Sequence, residues 1–156
     1  MSLGYMIRRV LAILPTGVML FGGSHVVRAE TIGSFDTLTQ RQVEQSYYYY
    51  YDWNRNLKFN SAVQRLFMRS KVAQPEWVRH GSGPSAPAQV VRQDSVNWIL
   101  LNTCKIHECG NNNLYILFNP PTRETYGVAK LNRKVVWLGK PNATQKALLS
   151  KASGYQ

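Results

Sequence analysis

Five short β-prone runs crowd into residues 88–138, and the links between them constrain this chain more than any other feature. Ala88–Arg92, Val96–Asn102, Leu114–Asn119, Tyr126–Leu131 and Lys134–Leu138 are separated by turn chemistry: Asp94-Ser95, Asn111-Asn112-Asn113, Pro120-Pro121 and Asn132-Arg133. A parallel crossover needs about a dozen residues or more, commonly a helix, and none of these links supplies one. The runs therefore predict an antiparallel meander. Val96–Asn102 (VNWILLN) is apolar enough to lie in the middle of the sheet.

Helical periodicity flanks the runs. Phe59, Ala62, Val63, Leu66 and Phe67 fall at i, i+3, i+4, i+7 and i+8, one apolar stripe, with Asn60 or Ser61 offered as N-cap. Pro75 stops any helix, and Glu76-Trp77-Val78 leads into a Gly/Pro-dense connection over 80–87. After the last run, Asn142 and Gln145 read as a capping box. Ala143, Ala147, Leu148 and Ala152 read as the stripe of a short helix that Gly154 ends. The class expected is α+β: an antiparallel sheet of about five strands, helices packed on one face, and a protruding disulfide-closed loop.

The N-terminus reads differently. Arg8 and Arg9 precede the apolar stretch Val10–Gly23, and Val27-Arg28-Ala29 suits a cleavage site, so residues 1–29 are expected to be a secretory signal peptide. Pro15 and Gly17 interrupt the run, which falls short of the roughly 20 apolar residues a membrane span requires. Residues 30–56 form a variable N-terminal segment and 57–156 the domain. Within 30–56, Gln40–Gln45 could be helical, and the run Tyr47–Tyr51 is assigned to packing at the edge of a core, because phenol rings suit half-buried positions.

Export places the only two cysteines, Cys104 and Cys109, in an oxidising compartment, where a disulfide is expected. The ring so closed presents Lys105, Ile106, His107 and Glu108 at the tip of a hairpin. Structural zinc needs four ligands, a redox pair needs Cys-x-x-Cys, and neither pattern exists, so no metal and no cofactor are expected. Neighbours on one tight loop cannot converge as a catalytic triad does, and no other nucleophile motif is present, so the chain is not read as an enzyme. A pre-closed ring lowers the ordering cost of recognition. On the residues alone, His107 is either a recognition group or an ordinary polar loop residue.

The formal charge is +11, of which +8 remains without the leader, whose Arg8, Arg9 and Arg28 face no acid. Such a balance favours anionic partners: nucleic acid, an acidic polymer (peptidoglycan among them), lipid headgroups or an acidic protein face. The cations are dispersed, with no run of five. The sequence leaves open whether the chain pairs as a homodimer.

Cys104-Lys105-Ile106-His107-Glu108-Cys109-Gly110 resembles the Cys-Lys-x-His-x-Cys-Gly signature of the Ivy family, inhibitors of vertebrate-type (c-type) lysozyme. Pro75-Glu76-Trp77-Val78, Gly81, Pro87-Ala88-Gln89-Val90 and Trp137-Leu138-Gly139-x-Pro141 extend the resemblance over roughly residues 57–152. The resemblance implies a periplasmic protein whose disulfide loop plugs the lysozyme cleft. His107 would hydrogen-bond both catalytic carboxylates, and Lys105 and Glu108 would contact the rim. Ile106 stands where the family usually has proline. The basic charge opposes long-range approach to a basic lysozyme. Two alternatives to lysozyme inhibition are thus carried forward: a basic cell-envelope binding module, and a family member directed at another glycan-cleaving enzyme.

Overall fold

The computed structural model of the chain describes residues 49–156. The readings made for residues 1–48 (the leader, Gln40–Gln45, Tyr47 and Tyr48) lie outside the described residues. In chain order the elements are α1 (Tyr50–Asn54), α2 (Leu57–Arg69), α3 (Glu76–His80), β1 (Gln89–Gln93), β2 (Val96–Cys104), β3 (Asn113–Phe118), β4 (Thr125–Leu131), β5 (Lys134–Leu138) and α4 (Ala143–Ser153). The five strands form one sheet in the order β1-β2-β3-β4-β5, every neighbouring pair antiparallel. The α+β meander expected from the short links is the observed fold.

Helix α2 forms where its stripe predicts, and Phe59, Ala62, Val63, Leu66 and Phe67 are all buried. It starts earlier than expected. Asn56, not Asn60 or Ser61, is the N-cap, its Oδ1 accepting from the backbone N–H of Lys58 (2.9 Å) and Phe59 (3.1 Å). Asn60 instead donates its amide to the carbonyl of Asn54 (3.1 Å), tying α2 to α1.

Alternation along the strands gives the sheet two apolar faces. Ile99, Leu101, Leu114, Ile116, Phe118, Ala129 and Leu138 share one cluster with α1, α2 and α3. Its centre is aromatic: Phe59 meets Phe118 edge to face at 5.1 Å, and Trp53 packs on both at 5.9 and 6.1 Å. Each such side chain, fully buried, contributes about 1.5–3 kcal/mol. Tyr50 is buried beside them and donates its phenol to the Val78 carbonyl (3.2 Å), and burial pushes its ionisation well above the ordinary phenol range. Of the described residues of the tyrosine run, Tyr50 thus belongs to the core, joined there by Trp53 just beyond the run, while Tyr51 is exposed and stacks on Tyr49.

The opposite face corrects one detail of the expected packing. Trp98, Leu117 and Val128 are also buried, and α4 covers them through Leu149. Helices therefore occupy both faces of the sheet. The physical reason lies in the central strands, which are apolar at successive positions and must be shielded on both sides. The stripe of α4 differs accordingly: Leu149 is its buried anchor, Leu148 and Ala152 are half-buried, and Ala143 and Ala147 are exposed. The capping box of Asn142 and Gln145 forms as expected, with both reciprocal bonds at 2.9 Å.

Candidate functional site

Strand β2 ends at Cys104 and β3 begins at Asn113, so the loop lies at the tip of the β2–β3 hairpin, and a disulfide joins Cys104 to Cys109. The backbone inside the ring is folded into consecutive turns. The N–H of Lys105 donates to the Asn112 carbonyl (3.0 Å), that of Glu108 to the Lys105 carbonyl (2.9 Å), and those of Asn111 and Asn112 both to the Glu108 carbonyl (2.9 Å each). His107 takes the left-handed conformation (φ 63°), sparsely populated by residues other than glycine, Asn and Asp. It sits exposed at the apex beside Ile106, whose side chain is also exposed.

Glu108 points the other way. Its Oε1 accepts from Lys105 Nζ (2.5 Å) and its Oε2 from the Asn112 side-chain amide (2.8 Å). The hydrogen bond from Lys105 holds this carboxyl below its ordinary range. Lys105's charge and the Asn112 bond act in the same sense, and partial burial opposes them. Lys105 and Glu108 neutralise one another, which leaves Ile106 and His107 as the chemistry offered outward. Gly110 is exposed and a Cβ there would meet nothing, so packing does not require a glycine at this position.

Asn112 is the residue that sequence reasoning missed. It is one of four buried polar or charged side chains among the described residues, and it works in two directions. Its Nδ2 holds Glu108, while its Oδ1 accepts from the backbone N–H of Asn132 (2.9 Å) in the β4–β5 turn. A backbone bond from Arg133 to the Asn111 carbonyl (3.1 Å) runs alongside. The loop thus leans on the next hairpin. Three consecutive asparagines read only as turn chemistry, and nothing in their order singles out the middle one.

A second brace comes from residues 81–87. Helix α3 opens at Pro75 and closes on Gly81 in the left-handed conformation, with its Arg79 carbonyl held by Asn54 (2.8 Å). The chain then runs along the base of the loop. The Cys104 N–H donates to the Pro84 carbonyl (3.0 Å), and the Ala86 N–H to Asn102 Oδ1 (2.8 Å). Contact is so close at Gly83 that a Cβ there would lie 1.7 Å from the Cys104 carbonyl oxygen. Asn113 completes the frame by donating to the Cys109 carbonyl (2.8 Å) and accepting from the Tyr155 hydroxyl (2.8 Å).

The arrangement exposes Ile106 and His107 on a closed, braced loop. Both cysteines are spent on the disulfide, and among the described residues no three His, Cys, Asp or Glu side chains cluster as a metal site would require. No helix among the described residues is long and apolar enough to cross a membrane.

The model of the inhibitor of vertebrate lysozyme (Ivy) family matches residues 58–152. An inhibitor of vertebrate lysozyme from Pseudomonas aeruginosa is 39% identical over 54 residues, covering 35% of each chain. An uncharacterised protein of Yersinia pestis is 26% identical over 89 residues, or 49% of this chain and 58% of that one. The chain spans about a third and somewhat over half of the length of these two relatives. The family match begins at the second residue of α2, takes in all five strands and the braced loop, and ends within α4, so the chain belongs to the inhibitor of vertebrate lysozyme (Ivy) family.

Proposed function

We propose that this protein is a periplasmic inhibitor of c-type lysozyme, exported by cleavage of residues 1–29, and that it acts by inserting the Cys104–Cys109 loop into the enzyme's cleft. The observation that carries the reading is the division of labour within the ring. Glu108 and Lys105 are turned onto one another and onto Asn112, while His107 is held exposed at the apex with no side-chain partner among the described residues. Lysozyme chemistry needs one protonated and one ionised carboxyl facing each other across the sugar. An imidazole placed between them donates to one and accepts from the other, and so occupies both. The disulfide and the two braces remove loop freedom before binding, which lowers the entropic cost of the complex. In this account Lys105 and Glu108 act first on the loop itself and only secondarily at the cleft rim. The similarity to an inhibitor of vertebrate lysozyme from Pseudomonas aeruginosa supports the same target class.

The test is hydrolysis of a peptidoglycan suspension by several c-type lysozymes with and without the protein. Inhibition at micromolar protein, lost in His107→Ala, is expected. Full activity of every enzyme in the presence of the wild-type chain would overturn the reading.

Charge favours one variant of it. Residues 49–156 carry fifteen Lys and Arg against five Asp and Glu. Association is therefore faster with a glycan-cleaving enzyme whose surface is acidic than with a basic one, most clearly at low salt. Running the assay at two ionic strengths against an acidic and a basic enzyme separates the two targets.

A further inference from the structure

At the end of the sheet away from the loop, the C-terminus of α2 and the chain leaving β5 enclose a cleft of about 540 Å³. It is lined by Arg69, Ser70, Lys71, Trp137, Gly139 and Lys140, with no carboxylate among them. Strand β4 spans the distance between cleft and loop, from Thr125 at the cleft to Leu131 beside the loop, about 20 Å at 3.3 Å per residue.

The walls of this cleft are built rather than incidental. The Ser70 hydroxyl donates to the Leu66 carbonyl (2.7 Å) and accepts from the Gly139 N–H (2.9 Å), fastening helix to strand end. The Arg69 guanidinium donates to the Thr125 carbonyl and lies over the Tyr126 ring, 5.7 Å from its centroid. Its position is thereby fixed while its charge stays uncompensated. Lys71 and Lys140 both occupy left-handed backbone positions (φ 55° and 56°), where glycine or asparagine costs less. Neither ammonium has an ion-pair or hydrogen-bond partner among the described residues. Lys146 adds a further cation, its Nζ 5.5 Å from the centre of the Trp137 ring.

We propose that this cleft binds an acidic glycan, a saccharide carrying a carboxylate or phosphate group, with Lys71 and Lys140 pairing with the anion and the Trp137 indole lying against the sugar. The volume is of the size that holds a small ligand. Clustered like charges with no acid among them raise each other's energy until an anion joins them. The half-buried indole supplies an apolar wall beside those charges, which a sugar ring can use and a bare inorganic anion cannot. The concave shape suits a discrete saccharide unit better than a flat lipid surface. Because the cleft lies at the far end of β4 from His107, a glycan bound there leaves the loop free.

The test is an NMR titration of the full chain as isolated from the cell, following the Trp137 indole N–H and the backbone amides of Lys71 and Lys140. The probes are tetragalacturonate, glucose 6-phosphate, neutral chitotetraose and inorganic phosphate. Saturable shifts with tetragalacturonate or glucose 6-phosphate are expected, and which of the two binds tighter identifies the anion. Lys71→Asn with Lys140→Asn, which keeps residues tolerant of the left-handed backbone, should weaken binding about tenfold or more. The same double variant should inhibit lysozyme as the parent does, which separates this site from the loop. The proposal is overturned if no probe gives a saturable shift, if chitotetraose binds as well, if inorganic phosphate alone matches the sugars, or if the double variant keeps its affinity.

Discussion

Asn112 donates its side-chain amide to Glu108 Oε2 at 2.8 Å, and with its other atom accepts from the Asn132 backbone, so one buried side chain couples the disulfide loop to the neighbouring hairpin. The stiffness of the loop thus depends on a residue outside the ring. Replacing Asn112 by alanine removes both bonds and should cost about 1–2 kcal/mol of stability. Inhibition should weaken as well, although Asn112 is buried and cannot reach a partner. Thermal unfolding and inhibition titrations on the same sample check both effects. Unchanged inhibition would show that the β4–β5 turn does not position the loop.

The Glu108 carboxyl is held below its ordinary range by Lys105. A carboxyl lowered on folding contributes stability above its unfolded value, and that contribution disappears as pH falls through its folded value. The loop should therefore stay rigid from neutral pH down through the ordinary carboxylate range and loosen only in stronger acid. Side-chain NMR of Glu108, with backbone amide relaxation of residues 105–112, reads this directly. In Glu108→Gln the acid transition of the loop should vanish.

His107 combines an exposed imidazole with a left-handed backbone. Two substitutions separate these properties. His107→Gly relieves the backbone and should hold or raise stability by up to about 1 kcal/mol, while His107→Ala should change it by about 0.5 kcal/mol or less. Inhibition should fall steeply in both. If the glycine variant inhibits as well as the parent, the imidazole is not the inhibitory group.

Gly83 admits no side chain where it crosses Cys104. Gly83→Ala must push the 81–87 segment away from β2, with an overpacking cost of about 1–3 kcal/mol. The accompanying signature should be faster exchange of the Cys104 amide, whose acceptor is the Pro84 carbonyl. A crystal structure showing Pro84 still on Cys104 would contradict it.

Opening the disulfide should be mild for the fold and severe for function. Closing so small a ring is worth about 2 kcal/mol in the chain-entropy model. The main core, which surrounds Phe59 and Phe118, does not include the loop. Under reduction the protein should remain folded by far-UV circular dichroism and lose most of its inhibition.

The sheet and helix α2 were legible because their periods are long and clean, and every residue of the Phe59–Phe67 stripe is buried. The second face was harder to read. Trp98, Leu117 and Val128 sit on runs that look equally apolar on both sides, and α4 has too few large residues to announce what it covers. At the site, the ring and its histidine were visible as a spacing. The braces were not, because Asn112 acts through a buried side chain that reaches the Asn132 backbone twenty residues on, and Gly83 and Pro84 through close backbone contact with Cys104, and such pairings leave no local pattern.

Tyr50 and Trp53 are among the largest fully buried side chains of the protein, yet both precede the first residue of the family match. The hydrophobic core therefore extends beyond the stretch that carries the family pattern. A chain begun at Leu57 would keep every residue of the loop and its braces from 81–87 and the β4–β5 turn. It would leave Phe59 and Phe118 open to water along the edge where Trp53 now lies. Trimming the protein to the matched stretch would keep the loop while removing both the core side chains Tyr50 and Trp53 and the Asn54 amide that holds the Arg79 carbonyl.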